Sequence, residues 1–557
     1  MTSSIAHRVP ALAGALLAAA MLSPAAATTW APTATQAVSV SSLLSALDLG
    51  AVPAAQALTV RVGLQVQNKP ALLAFVRSVS DPSSASYGQF LTPAEFAATY
   101  APSAAQVASV VQYLQKAGFT NVTVEPNNLL ISADGTAALA AAAFNTKLEQ
   151  VSISGKTLFV NTAAAQVPAA LGGVVSAVLG LNTVGQMKPT IALPSAPNYL
   201  GEYTPPQFQA IYSANKLPAA TKASIAIMAE GDLTGVVSDL RIAEKAFGLP
   251  QVPLTIVPVG IASTDTSGSD EWDLDTQYSS GMAQNLKMLY LYDVTSLSDS
   301  DLALEFSRWA TDDKAKAASA SLGECEIFPY LDGSMTVDDM TFLEAAAQGQ
   351  TFFASAGDTG SFCPVSVVGE NGVPAGAPLV NYPAASPYVV GVGGTSLLTN
   401  ADGSYNSEIS WYAGGGGLSQ FESAPYWQQD ASTLLSETSD RGVPDVAMDA
   451  DPNSGAEVFV AGVAEEVGGT SLSSPLALGV WAHAISVNPK LGVAGPQLYS
   501  LYDGAGLIGS LTGAYPEGGY HDIVVGANGL YTALPGYDLT TGLGTFVAGQ
   551  FVTDLAQ

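Results

Sequence analysis

Residues 187–207 of this 557-residue chain, MKPTIALPSAPNYLGEYTPPQ, carry no hydrophobic periodicity and are rich in Pro, Ala and Ser. Such a stretch reads as a linker, so the chain must fold as two units joined by it. Ahead of it, Leu58–Leu64 alternates like a strand, and Lys69–Val79 and Ala104–Ala117 have helical spacing. An Ala-rich helix over Thr136–Phe144 sits among short strands at Val122–Val124, Leu129–Ile131 and Leu158–Val160. Helices interleaved with short strands predict a small α+β sandwich of the ferredoxin-like kind. Beyond the linker, apolar strands at Ser224–Met228 and Leu254–Val257 flank a helical stretch at Val236–Phe247. That alternation predicts an α/β unit with a central parallel sheet.

The extreme N-terminus reads differently. His7 and Arg8 precede an apolar run, Ala11–Leu22, followed by the small residues Ser23-Pro24-Ala25-Ala26-Ala27. This is the pattern of a cleaved export signal over 1–27, and no later segment reaches the roughly 18 apolar residues that a membrane span needs. An exported, soluble protein is expected, with release to the medium favoured over retention in a periplasm. Lys and Arg number 18 against 47 Asp and Glu, a formal charge of −29. That balance excludes a basic nucleic-acid surface and an anionic-membrane partner. It also suits a protein built for acid, where few fixed cations remain to repel one another. An even pair of cysteines, Cys325 and Cys363, favours one disulfide in an exported chain.

The chemistry concentrates in three segments. EWDLDTQ, 271–277, has no helix breaker and follows the turn residues 265–270. On a helix Glu271 and Asp275 share a face while Asp273 points away. In solvent this is an acidic helix start of no consequence. Buried, one carboxyl raises the pKa of the other and the two share a proton. GGTSL occurs twice. The copy ending at Leu472 runs into Pro475 and an apolar helix, so Ser471 sits at a helix N-terminus, where a nucleophile is favoured. The copy at 393–397 precedes a turn, and Ser396 reads as a turn residue. Asp358, in SAGDTGS, lies at a predicted strand end. Asp-Thr-Gly-Ser is also a pepsin-like signature, but no second such loop exists and the pattern is not all-β. The three histidines, His7, His483 and His521, lack the context of a triad base. A carboxylate would replace histidine as base in acid, where imidazole is protonated.

EWDLD, SAGDTG and GGTSLSSP in this order resemble the sedolisins, the acid-acting serine-carboxyl peptidases. SDPSSASYGQFLTPAEF and VPAALGGVVSAVLGLNT resemble their activation prodomain, and NYPAASPYVVGVGGTSL and RGVPDV match further along. The resemblance implies a subtilisin-like catalytic domain over 206–557, a prodomain over 28–185 and a maturation cleavage in the 186–205 linker. It implies Ser471 as nucleophile, Glu271 as general base, Asp275 tuning that base, and Asp358 as a protonated oxyanion donor. Ser321, Leu322 and Gly323 would pair with substrate backbone. A calcium ion, one per subunit, would be held by the carboxylates of Asp522 and Asp538 and the carbonyls of Ile523, Leu534 and Gly536. Leu534 replaces the usual glycine. A Cys325–Cys363 bridge would tie the loops bearing the substrate strand and Asp358. The expected partners are protein and peptide substrates and the chain's own prodomain as intramolecular inhibitor, and a monomer is expected. A pepsin-like enzyme and a silent peptide-binding relative are the alternatives.

Overall fold

The computed structural model describes Met1 and residues 28–40, 43, 46–194, 200–364, 376–429, 439–502 and 519–556. The export segment, His7 included, lies outside the described residues, as do positions 195–199 of the linker.

The first unit contains strands β1 (Ala57–Leu64), β2 (Thr120–Val124), β3 (Leu130–Thr136) and β4 (Val175–Leu179). Helices α1 (Lys69–Ser80) and α2 (Ala104–Ala117) follow β1, and α3 (Ala137–Ala143) follows β3. The sheet order is β2-β3-β1-β4 with every neighbour antiparallel. That is the split βαβ arrangement the sequence predicted. Local signals account for its boundaries. Ser103 and Gln106 form a capping box at the start of α2, and Gly118 closes it in the left-handed region at φ 103°. Val107, Val110 and Leu114 of α2 pack on Val60 and Val62 of β1.

The second unit is built on strands β5 (Ser224–Glu230), β6 (Leu254–Val259), β7 (Met288–Val294), β8 (Ala317–Ala320), β10 (Thr351–Ser355) and β11 (Val389–Thr399). They lie in the order β6-β7-β5-β8-β10-β11, all parallel. An antiparallel β12 (Tyr405–Ser410) closes the edge, and β13 (Val446–Asp449) runs parallel beside β11. A separate short strand, β9 (Leu322–Cys325), leaves the end of β8. Helices α4 (Thr234–Phe247), α5 (Ser269–Met282), α6 (Asp299–Asp312), α7 (Ser334–Ala347) and α8 (Thr470–Val487) cover the sheet. Burial on both faces explains the unbroken apolar runs in the strands. Ser396 is corrected here: it lies inside β11 rather than in a turn, and its hydroxyl donates to Asp451 at 2.6 Å.

The two units make direct contact. Leu130, Ala177 and Leu179 of the first unit's sheet pack on Ala303 of α6 and Val337 of α7. A Cβ on Gly63 would fall 2.4 Å from the Val337 side chain, so only glycine permits this approach. Arg61 pairs with Asp301 at 2.6 Å and donates to Ser300 at 2.7 Å, while Asn127 donates to Glu344 at 2.7 Å.

Candidate active site

Glu271 and Asp275 lie one turn apart on α5, and the helix is buried from Glu271 to Met282. The reading of EWDLDTQ as a solvated acidic face is thereby overturned. Asp273 faces elsewhere but is buried too, and burial lifts its carboxyl to about 8. Trp272 anchors the helix by donating to Glu230 O at 2.8 Å. Burial holds the Glu271 carboxyl well above its ordinary range; the Asp275 charge adds to this, and the Ser471 hydroxyl opposes it. Burial raises Asp275 in the same direction, opposed by the Ser321 hydroxyl.

Ser471 occupies the second position of α8, the helix that packs against α5. Pro475, four residues on, has no N–H to give the Ser471 carbonyl. Ser321 fills that vacancy: its Oγ lies 3.2 Å from Ser471 O and 2.5 Å from Asp275 Oδ1. One hydroxyl has one hydrogen, so both contacts are satisfied together when Asp275 carries a proton. Ser321, expected as backbone-pairing surface, thus also links the acid pair to the nucleophile's own backbone.

Asp358 follows β10. Its Oδ1 accepts from Thr470 N and Thr470 Oγ1, each at 2.8 Å, which satisfies a free donor of the α8 N-terminus. Its Oδ2 is buried without a hydrogen-bond partner, although the residue's edge is partly exposed. Burial pushes this acid up to about 7, opposed by the two Thr470 bonds. Gly357, at φ 101°, gives the turn its shape, and Asn381 packs so closely that a Cβ there is impossible.

The linker crosses this site as an extended strand. Lys188 and Pro189 pair antiparallel with Gly323 and Leu322 of β9. Thr190 Oγ1 lies 2.9 Å from Ser471 Oγ and donates to Ser355 Oγ at 2.8 Å. Ser471 has no exposed surface beneath it. Thr190, Ser355 and Thr470 are site residues that motif reading missed; adjacency to Ser471 was a signal only for Thr470.

Cys325 and Cys363 are disulfide-bonded, with Cα atoms 5.5 Å apart, joining the end of β9 to the loop after Asp358. The two buried or half-buried histidines have structural partners. His483 bridges Pro218 O and Met282 O, and His521 stacks on Tyr405 at 3.8 Å.

At the expected calcium site, Asp522 accepts from Gly536 N and Asp538 from Leu534 N, each at 3.0 Å. Burial lifts Asp522 to about 6, and the Asp538 charge adds to that. Asp538 Oδ1 also accepts from Thr540 N, Thr540 Oγ1 and Thr541 N, so a hard cation would share this carboxylate with the protein's own donors. Leu534 has no positive φ, so its carbonyl does not require glycine, and Ile523 is buried. Among the described residues no three His, Cys, Asp or Glu side chains converge on one point; this set offers two carboxylates and backbone oxygens.

Residues 45–184 match the family described as Pro-kumamolisin, activation domain, and 259–499 match the subtilase family. Sedolisin of Pseudomonas sp. (strain 101) is 36% identical over 567 residues, covering 96% of this chain and 93% of its own. The chain belongs to the sedolisin family. Another relative, xanthomonalisin of Xanthomonas sp. (strain T-22), is 35% identical, covering 99% of this chain and 73% of its own. A solved structure of Pseudomonas sedolisin, a serine-carboxyl proteinase complexed with two molecules of pseudo-iodotyrostatin, aligns with a TM-score of 0.58 at 32% identity. It covers 64% of this chain and 98% of that one. This sedolisin-family chain is therefore a serine-carboxyl peptidase with an activation prodomain, and the pepsin-like alternative falls.

Proposed function

We propose that this chain is the exported precursor of an acid-activated endopeptidase that cuts proteins through an acyl-enzyme on Ser471. The observation that carries this reading is the buried Glu271–Asp275 pair on one side of Ser471 with the unpartnered Asp358 Oδ2 on the other. Ser471 Oγ attacks the substrate carbonyl as Glu271 accepts its proton. Asp275 holds a second proton and keeps the pair from ionising twice. Protonated Asp358 donates from Oδ2 to the oxyanion, together with the Ser471 N–H at the α8 N-terminus. Glu271 then returns the proton to the leaving amine, and water activated by Glu271 releases the acid.

The fit of residues 188–189 to β9 supports Ser321, Leu322 and Gly323 as the substrate-pairing edge. The prodomain acts as an intramolecular inhibitor, held to the catalytic unit in part by the Arg61–Asp301 ion pair at 2.6 Å. Calcium at Asp522, Asp538, Ile523, Leu534 and Gly536 would tie the C-terminal loop to β13's neighbours without taking part in the reaction. The protein acts as a monomer released from the cell.

The test is purified precursor moved from neutral buffer to about pH 4, close to the reference pKa of glutamate. Wild type shortens by the prodomain and digests a protein substrate, while Ser471→Ala stays intact and inert. Full activity in the Ser471→Ala protein refutes the reading, and inhibition by pepstatin would speak for a different chemistry.

A further inference from the structure

We infer that the first bond this peptidase cuts is its own Thr190–Ile191 bond. The inference rests on the reading of Ser471 as nucleophile, and its register comes from contacts on both sides of the linker strand. Upstream, Lys188 pairs with Gly323, Pro189 with Leu322, and Thr190 N donates to Ser321 O at 3.3 Å. Downstream, Ala192 and Gly468 exchange backbone hydrogen bonds of 3.0 and 2.8 Å. A strand anchored at both ends cannot slide, and of the two residues between the Pro189 and Ala192 pairs only one turns its carbonyl toward the nucleophile.

That residue is Thr190. Its carbonyl accepts from Ser471 N at 3.4 Å. The same oxygen and Asp358 Oδ2 lie 2.0 and 2.6 Å from the point a Cβ on Gly469 would occupy. Glycine with φ 101° at 469 therefore leaves room for one carbonyl oxygen between the two oxyanion donors, and Thr190 O takes it. The side chain is fixed as well, by Ser355 and by Ser471 Oγ. A shift of one residue turns the carbonyl to the opposite side of the strand. A shift of two breaks the pairs with Gly323 and Gly468.

The contacts also explain why the bond survives until it is triggered. Thr190 gives its single hydroxyl hydrogen to Ser355, so it meets Ser471 as an acceptor. When Ser471 donates to Thr190 its proton is turned away from Glu271, neither of whose oxygens has a partner within hydrogen-bond distance, although the Ser471 hydroxyl lies near enough to oppose the rise of that carboxyl's pKa. Reaction needs that proton to swing to Glu271. The Thr190 C–Ser471 Oγ bond then forms and the Thr190 C–Ile191 N bond breaks, with the proton passing through Glu271 to the Ile191 amine. Water hydrolyses the ester, leaving a Thr190 carboxylate.

The experiment is a time course of full-length precursor after the acid shift, read by intact mass and N-terminal sequencing. The earliest fragments should be one ending at Thr190 and one beginning Ile-Ala-Leu-Pro. An Ile191→Pro precursor, which lacks the scissile N–H, should lose that cut by at least about a hundredfold while wild-type enzyme added in trans still digests a denatured protein. Earliest fragments from another bond, with 190–191 intact, overturn the inference. They leave the proposed function standing provided Ser471→Ala is inert. An Ile191→Pro precursor that matures at the wild-type rate also overturns it, and absence of any cleavage by wild type overturns both.

Discussion

Replacing Asp358 by Asn isolates the oxyanion donor. Asn keeps an oxygen for Thr470 N and Thr470 Oγ1 and presents an amide N–H where the acid presents O–H. An ordinary Asp with a pKa of 3.8 is only about 6% protonated at pH 5, whereas one held at about 7 is about 99% protonated. The burial around Asp358 thus keeps nearly every molecule competent in acid. The sign follows: a carboxyl raised on folding donates below its pKa and is lost as donor when pH rises through it. At pH 8 only about 9% of wild type retains the proton, while the Asn variant titrates nothing there. The assay is kcat of both matured enzymes at saturating peptide from pH 5 to 8, because a bound substrate covers Asp358 as the linker strand does in the precursor. The ratio of variant to wild type should climb roughly tenfold across that range. Titration of the Glu271–Asp275 pair affects both proteins and largely cancels in the ratio. A flat ratio refutes the argument, because Asp358 would then not change charge in the working range. Asp358→Ala, which offers no donor, should lose about 10²–10³ in kcat at pH 5.

Other expectations follow from the same geometry. Glu271→Gln should lower kcat by about 10²–10⁴ with little change in peptide KM, and an unchanged kcat would remove Glu271 from the mechanism. Arg61→Ala should loosen the prodomain by roughly 1–3 kcal/mol, seen as earlier self-cleavage at pH 7, with no effect on the matured enzyme. Chelation should lower the melting temperature of the matured enzyme and Asp538→Ala should abolish that dependence; equal melting with and without calcium refutes the site.

The parallel sheet and the ferredoxin-like topology were legible in the sequence for local reasons, while the roles of the four catalytic candidates came from motif resemblance. Apolar strands alternating with helices admit few folds, and the helical spacing over Ala104–Ala117 gave α2 the bounds it has in the structure. Glu271 and Asp275 were paired by helical spacing alone. What the sequence did not carry was depth. Nothing in EWDLDTQ says that α8 packs over it, and that burial separates a solvated acidic face from a proton-sharing pair. Ser396 failed for a related reason: a serine before a turn looks local until β12 pairs with it across the sheet edge. Thr190 and Ser355 were invisible because they are 165 residues apart and meet only through the folded linker.

The strand laid between β9 and Gly468 has a consequence for how the enzyme, once made, comes free. While the chain is continuous, the tether presents residues 188–192 to the cleft at a high effective concentration, so dilution does nothing to dislodge them. Once cut, the segment before Ile191 is an ordinary ligand, and its occupancy follows its amount in solution. Crowded, the product holds its maker; spread into a large volume, it leaves.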